Sequence, residues 1–498
     1  MKLDSPEAHD TERRAAAVST PPVPRPAAEA TQASASERVP RGGALLVVLL
    51  LGQAMSNMDH SMVNVAAPVL RQGLGLSGAW LQMVITGYSL SYAVLLVTGA
   101  RLGGDHGPRR LFLIGLTILT AGSLGCSVAP TVGALVALRV VQGVGAAMMM
   151  PQVLSIIQRQ YDGAARARAL GYYAMILAVG VTAGQLVGGA LVTMNVFGLS
   201  WRSAFLAHVV VGSALLVGAH RVLPRISMTA RHTLDIHGVL LLSVSMVLLV
   251  IPLTFGREAR WPAWTWVSMA LGALGVVAFA PWERAVSRRG RTPLLDLGVL
   301  SPPGVKAGLW VVFAVMGQYG GFLFGITLHL QSGLGYTPIA SGLTFSVYAL
   351  GFTLVSLGWS RLPERIQRWT PSGGLLAMAA ANVALGIAVR SGWLLGLTLP
   401  LLAIAGAGHG AAFGPLVNRL MMRVKPEHAP LLSGLLTTAT QLAVVAGVAS
   451  LGSVYLAIAR GAASSAEALA IVAFAIAALC VVSTVGSVRV ATSSLHRR

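Results

Sequence analysis

From Ala44 onward the chain is a near-continuous succession of apolar runs, interrupted at short intervals by turns rich in Gly, Pro, Arg and Asp. Crossing roughly 30 Å of hydrocarbon takes about 20 mostly apolar residues in a helix, and the runs have that length. They are rich in Leu, Ala, Val and Gly and lack the strict alternation of barrel strands, so the predicted elements are helices. The pattern predicts spans near 44–70, 80–102, 109–129, 132–157, 167–192, 201–222, 234–255, 264–281, 306–330, 340–359, 372–389, 393–420, 432–459 and 466–488. The predicted fold class is therefore all-α polytopic membrane protein with about fourteen transmembrane helices. An even count puts both termini on one side.

Composition agrees. The 498 residues are 55% hydrophobic and 10% charged, with a mean hydropathy of +0.72, against roughly a quarter charged in soluble domains. That excludes a water-soluble fold. The net charge of +20 points to nucleic acid only if it gathers on one soluble surface, and here it follows topology. Cys126 and Cys480 are far apart in apolar runs; they predict neither a disulfide framework nor a metal site. The N-terminus, polar and rich in Ala and Pro, lacks the pattern of a cleavable signal peptide, so the first span is expected to act as its own insertion signal.

Charge also orients the chain. With the termini in the cytoplasm, most of the 36 Lys and Arg residues lie inside, leaving Arg71, Arg202, Arg257, Arg260, Arg390 and Arg460 outside and Arg139 within a span. The opposite orientation inverts this bias against the positive-inside rule. Residues 1–42, with clustered prolines and few large apolar side chains, read as a disordered cytoplasmic tail. Six spans over 43–222, two within 223–305 and six over 306–488 suggest two bundles with an inserted pair and a cytoplasmic linker, followed by a short tail at 489–498.

Charges inside spans are costly, roughly 2.5 to 3.5 kcal/mol each on insertion scales, and mark function. Asp59 lies about 16 Å below the outer end of the first span, and Arg139 about 12 Å deep in the fourth, at 1.5 Å rise per residue. The two can pair, directly or through water. Desolvation favours the neutral carboxylic acid and a nearby guanidinium favours the carboxylate, so small changes in separation can switch the proton. The alternative is a static ion pair that fixes helix packing. Gln142, one turn from Arg139, can bond the pair, a substrate, or another helix.

His409, in a Gly-rich run, is either a second proton carrier or a packing histidine. His60 adjoins Asp59 but projects in a different direction, and its role is open. Gly180, Gly184, Gly188 and Gly189 recur at one-turn spacing and let another helix approach closely. The sequence holds no Walker phosphate loop, no His-Glu-x-x-His and no nucleophile elbow, so it is not expected to be an enzyme. A channel is disfavoured by the lack of a filter motif.

Several motifs carry a family resemblance. Asp59, Val63, Asn64, Ala66 and Pro68 form a first-span pattern, and Arg139, Gln142 and Gly143 an Arg-x-x-Gln-Gly motif. Between spans two and three, Arg101, Asp105, Gly107, Arg109 and Arg110 follow a gating motif, with Gly104 where an aspartate usually stands. The fifth span carries the spaced glycines of an antiporter motif, with Gln185 in place of its proline. On these residues the chain resembles the fourteen-span drug:proton antiporters of the major facilitator superfamily.

That resemblance implies the major facilitator fold and efflux of small amphipathic drugs or antibiotics by alternating access. It implies proton coupling through Asp59, Arg139 and Gln142, and a cytoplasmic gate at residues 101–110. Asn64, His409 and Gln441 are candidate cavity residues. No cofactor or metal is expected, with protons as the coupling ion. The expected partners are a small-molecule substrate and the lipid bilayer, without nucleic acid, and the expected state is a monomer in the plasma (cell inner) membrane. The alternatives are a proton-coupled importer or facilitator, or a non-transporting membrane sensor on the same fold. Lacking a second clear intramembrane carboxylate, the sequence favours neutral or amphipathic substrates.

Overall fold

The computed structural model describes residues 42–225, 235–290, 293–294, 297–424, 429–459 and 462–492. The long helices among them are α1 (Gly42–Leu74), α2 (Gly78–His106), α3 (Pro108–Val128), α4 (Val132–Gln160), α5 (Gly163–Met194), α6 (Arg202–Val222), α7 (Ile236–Phe255), α8 (Ala263–Arg288), α9 (Val305–Leu328), α10 (Pro338–Gly358), α11 (Thr370–Arg390), α12 (Leu395–Met421), α13 (Ala429–Ile458) and α14 (Ala462–Thr492). Twelve of the described helices are long and apolar enough to cross a membrane. The two long helices outside that set are α1 and α5. Gln53, Asn57, Asp59 and His60 dilute the apolarity of α1, while α5 contributes the shorter apolar stretch Val179–Met194.

Local chemistry sets the helix ends. Ser77, Thr131 and Thr337 each cap a helix by accepting from a backbone N–H three residues on, which satisfies a donor the helix leaves open. Gly107 has φ +90° and joins α2 directly to α3; a side chain is strained there. Large apolar side chains face outward along α8, including Trp264, Trp266, Leu271, Leu274 and Val277, as expected for a lipid-facing surface.

Packing relies on close backbone approach at glycines, and the same contacts recur in two sets of helices. In the first set, a Cβ on Gly115 of α3 falls 2.6 Å from Gly145 O of α4, one on Gly143 overlaps Tyr88 O of α2, and one on Gly184 of α5 falls 2.7 Å from Met58 O of α1. In the second, Gly374 of α11 meets Gly408 O of α12 at 2.6 Å, Gly406 overlaps Tyr348 O of α10, and Gly447 of α13 overlaps Gly317 O of α9. Small residues at crossings are what allows helices to associate where no hydrophobic force separates them from lipid. In this register Asp59 corresponds to Gln318 and Arg139 to Leu402. The second set thus carries no counterpart of the ion pair.

The two sets meet along α2 against α13 and α5 against α10. Helices α7 and α8 pack on each other, and α7 also touches α2 and α13. Some boundaries differ from expectation. Helix α8 runs seven residues past the predicted end of its span at 281, to Arg288, because Glu283 and Val286 are buried on one face. Residues 489–492, read as tail, belong to α14, where Val490 and Ala491 are buried. The expected N-terminal tail up to residue 41, and residues 493–498, lie outside the described residues.

Candidate functional site

Asp59 and Arg139 lie wholly inside the protein. The guanidinium donates to Asp59 Oδ2 at 2.5 Å, and neither side chain has any exposed surface. Further contacts hold the guanidinium in place. Arg139 Nε donates to Val84 O at 3.0 Å, and the same Nη1 that meets Asp59 also reaches Gln142 Oε1 at 2.9 Å. Gln142 is fixed in turn by donating to Ser123 Oγ at 2.7 Å and by accepting from Cys126 Sγ at 3.3 Å. The Tyr88 ring lies 4.6 Å from the guanidinium carbon, within cation–π range. The spacing of Arg139 and Gln142, three residues on one helix, puts both on the face turned to α1 and α3.

Asp59 is less completely bonded than Arg139's neighbours suggest. Its Oδ1 has no hydrogen-bond partner among the described residues, and neither does Arg139 Nη2. His208 Nε2 stands 3.9 Å from Oδ1, beyond hydrogen-bond length. That imidazole bonds instead to Ala204 O at 2.9 Å and Met55 O at 3.2 Å. The arrangement leaves one carboxylate oxygen able to take a proton with an imidazole close by.

Beside this pair lies a cavity of about 470 Å³, a volume suited to a small organic molecule. Gln53, Ser56, Asn57 and His60 of α1, Tyr88 and Tyr92 of α2, and Tyr173 of α5 form one side. Residues of α9, α10, α12 and α13 form the other, among them Tyr319, Phe345, Tyr348, Phe352, His409 and Gln441. Asp59 and Arg139 are not in its wall. Tyr88 is common to both sites: it lines the cavity, covers Arg139 and bonds through its hydroxyl to Ser56 Oγ.

The other sequence-predicted residues distribute as follows. His409 and Gln441 line the cavity, and His409 Nδ1 meets Tyr348 Oη at 2.8 Å while its Nε2 has no partner among the described residues. Asn64, expected at the cavity, does not line it but is buried at 1% exposure, with both amide atoms unpartnered among the described residues. It lies one turn beyond His60 on α1, next to Val65, whose carbonyl accepts from Gln331 of the other set of helices. His60 faces the cavity and bonds Ser89 Oγ at 3.1 Å.

On α5, Gly180, Gly184 and Gly188 lie against Asn57, Met58 and Met62 of α1, while Gly189 lies against Pro338 and Ile339 of α10. Gln185 is buried, and a Cβ on Gly342 of α10 would fall 2.8 Å from its carbonyl oxygen. In the loop motif, Arg101 donates to Leu294 O at 3.1 Å and also feels the charges of Glu283, Asp235 and Asp105. Arg109 donates to His220 O at 2.7 Å, and Arg110 is exposed. Gly104 faces open space.

Sequence reasoning missed Tyr88, Ser123, His208 and the aromatic wall. Phe345, Tyr348 and Phe352 stand at helical spacing on α10 and were the available signal. It also missed the links between the halves at the end of the bundle beyond the cavity. There Gln331 Nε2 donates to Val65 O at 2.9 Å and Ile339 N to Thr193 Oγ1 at 3.1 Å.

Comparison with known proteins agrees with this architecture. The chain is 36% identical over 420 residues to the probable actinorhodin transporter of Streptomyces coelicolor, covering 83% of this chain and 72% of that one. It is 33% identical over 417 residues to a puromycin resistance protein of Streptomyces alboniger, covering 82% and 81%. Among solved structures, a bacterial homolog of the human lysosomal transporter Spinster, inward-facing and occupied, aligns with TM-score 0.66 over 92% of this chain and 98% of that one. At 19% identity that likeness concerns the fold alone. The profile of the Major Facilitator Superfamily matches residues 49–448, and this multi-pass membrane protein belongs to that family.

Proposed function

We propose that the protein is a proton-coupled exporter of small, uncharged amphipathic molecules, working by alternating access in the plasma membrane. The observation that carries this reading is a fully buried Asp59–Arg139 pair set behind one residue, Tyr88, from a cavity between the two sets of helices. A proton arriving at Asp59 Oδ1 cancels the charge that holds Arg139, and the guanidinium and Tyr88 then rearrange at the cavity wall. Substrate occupancy and protonation thereby act on the same side chain. The names of the relatives, a transporter and a resistance protein, support export as the direction.

In this reading α1 and α5 also span the bilayer, for fourteen spans in all. Residues 43–222 and 306–488 act as two six-helix bundles, 223–305 supplies the inserted pair, and both termini are cytoplasmic. The links from Val65 to Gln331 and from Thr193 to Ile339 close the outer end, so the cavity belongs to the inward-facing state. The residues at 101–110 form the cytoplasmic gate, the glycines of α5 its sliding surface, and the working unit is a monomer. One proton crossing 100 mV is worth about 2.3 kcal/mol, enough to sustain roughly a fiftyfold gradient of a neutral solute.

The test uses protein reconstituted in liposomes with a pH-sensitive dye inside. Amphipathic dyes and antibiotics are added, and wild type is compared with Asp59→Asn. Substrate-dependent proton flux that vanishes in the variant supports antiport; substrate flux unaffected by the variant turns the reading to a facilitator with a structural Asp59.

A further inference from the structure

His208, on α6, is a titratable side chain only 5% exposed. Both of its ring nitrogens face backbone carbonyls: Nδ1 lies 2.9 Å from Ala204 O and Nε2 3.2 Å from Met55 O. A carbonyl oxygen only accepts, so each contact requires an N–H on the ring. A neutral imidazole has one N–H and sets a bare lone pair against the other carbonyl; the imidazolium, with two, satisfies both. The charge this requires has a counter-ion in reach. Nε2 stands 3.9 Å from Asp59 Oδ1, within ion-pair distance, and Arg139 holds the other oxygen of that carboxylate. Met55 and Asp59 are one turn apart on α1, so Nε2 has both acceptors on one helix face. The carrier helix is held there: one turn on, a Cβ at Gly212 falls 3.1 Å from Met55 Cε and overlaps Thr120 of α3. One turn back, the Phe205 ring lies 5.9 Å from Arg139 Cζ. The other titratable groups around α6 are engaged elsewhere. Arg139 of α4 bonds Oδ2, Cys126 of α3 bonds Gln142 Oε1, Tyr88 of α2 bonds Ser56, and Arg202 of α6 itself bonds Ala129 O. Residues 180–194 of α5 contain no titratable side chain.

We propose that His208 is the proton store of the coupling site: it stands as an imidazolium in this state and exchanges its proton with Asp59 Oδ1. The proposal rests on the reading of Asp59 as the proton-coupling carboxylate, through which His208 acts as a positioning residue. In the exchange the Nε2–H bond breaks, its electron pair stays on Nε2, and an O–H bond forms at Oδ1. Imidazolium and carboxylate become imidazole and carboxylic acid, and Met55 O is released. Closing the gap by about 1 Å brings Nε2 and Oδ1 to hydrogen-bond length. Counting Arg139, the three groups carry the same net charge before and after. The transfer therefore adds no charge to a desolvated site, where an added charge is costly. What changes is the hold on Arg139, whose counter-ion is neutralised through the oxygen it does not touch. The proton that frees the guanidinium is thus already stored 3.9 Å from its destination.

The experiment is nitrogen NMR of the purified protein in nanodiscs at neutral pH, with its 11 histidines isotopically labelled at the ring nitrogens. Protonated and bare ring nitrogens resonate far apart, so an imidazolium is distinguished from either neutral tautomer. The His208 signal is assigned by its loss in His208→Gln and, independently, by through-space correlation to the Ala204 carbonyl carbon. Wild type is expected to show two protonated nitrogens at His208, and Asp59→Asn, which lacks the counter-charge, one. In liposomes, the maximal rate of substrate-driven proton flux is expected to fall about tenfold in His208→Gln, equivalent to about 1.4 kcal/mol, with the half-saturating substrate concentration unchanged. The pH profile of the flux is expected to follow two proton-binding steps in wild type and one in the variant, since coupled groups titrate in separate macroscopic steps. Glutamine keeps an N–H donor, and a role in packing alone leaves the shape of the profile as it was. Where His208→Gln fails to give a monodisperse gel-filtration peak, His208→Asn replaces it. One bare nitrogen at His208 in wild type, an imidazolium that persists in Asp59→Asn, or a two-step profile retained in the variant overturns the proposal. The spectra are recorded without substrate or gradient, so failure of proton antiport in liposomes leaves their result on His208 standing, and antiport that requires Asp59 while His208 is neutral sinks this inference alone.

Discussion

Replacing Asp59 by Asn keeps the shape of the side chain and deletes its charge, which isolates the ion pair. The Arg139 guanidinium, with no exposed surface, is then left with neutral partners only: Val84 O at 3.0 Å, Gln142 Oε1 at 2.9 Å and the Tyr88 ring at 4.6 Å. Removing one partner of a buried pair costs about 3–5 kcal/mol, because the survivor is a desolvated, uncompensated charge. The remaining carbonyl and ring contacts hold the guanidinium in place, so the loss is expected near the lower end, about 3 kcal/mol. Asp59→Asn combined with Arg139→Met removes both charges and is expected to return to within about 1 kcal/mol of wild type, since a neutral packed pair replaces an ionic one at little cost. Equilibrium unfolding in mixed micelles, followed by the fluorescence of the 10 tryptophans, measures all four corners of the cycle. The function splits from stability here: the double variant regains its fold and still carries no proton flux in liposomes. A loss below about 0.5 kcal/mol for Asp59→Asn, or a double variant as unstable as the two singles added together, refutes the reasoning, because neighbours that truly interact are non-additive.

Three further outcomes follow from packing and backbone geometry. Gly184→Leu is expected to destabilise by about 1–3 kcal/mol through overpacking, because its first added atom already falls 2.7 Å from Met58 O; Gly104→Ala, in open space, is the silent control, and equal melting temperatures for the two exclude the tight α1–α5 contact. Gly107→Ala places a side chain at φ +90° and is expected to cost about 1–3 kcal/mol, read as a lowered melting temperature; a neutral result means the α2–α3 joint relaxes elsewhere. Gln331→Leu removes the bond to Val65 O, worth about 0.5–1.5 kcal/mol net, and is expected to raise several-fold the population open at that end. Spin-label distances between the ends of α1 and α9 measure it, and an unchanged distribution shows that the bond does not hold that end shut.

The ion pair was legible in the sequence for a definite reason. Charged residues in apolar runs are few, and a fixed helical rise converts their positions into depth, so Asp59 and Arg139 stand at similar levels before any fold is known. Gln142 followed from its offset of three residues. Asn64 shows the limit of the same logic. It continues the stripe of His60 along α1, yet the cavity ends before it, since the closing contact comes from Gln331, a residue 266 positions away from Val65. Glu283 was read as lying just past its span, and its burial depends on partners that α8 meets only in the folded bundle.

Hydrophobic pattern by itself determined that the chain is helical and membrane-embedded, about where each long helix begins and ends, and which charges lie deep. Those features depend on one helix and the solvent around it. The azimuth of each helix was decided by tertiary structure alone. In water an amphipathic stripe announces the buried face; in lipid both faces are apolar, and association is driven by packing and polar contacts instead. So the glycine crossings that repeat between the two sets of helices, and the reach of Tyr88 from Arg139 to the cavity, were set by which backbones approach closely enough to touch.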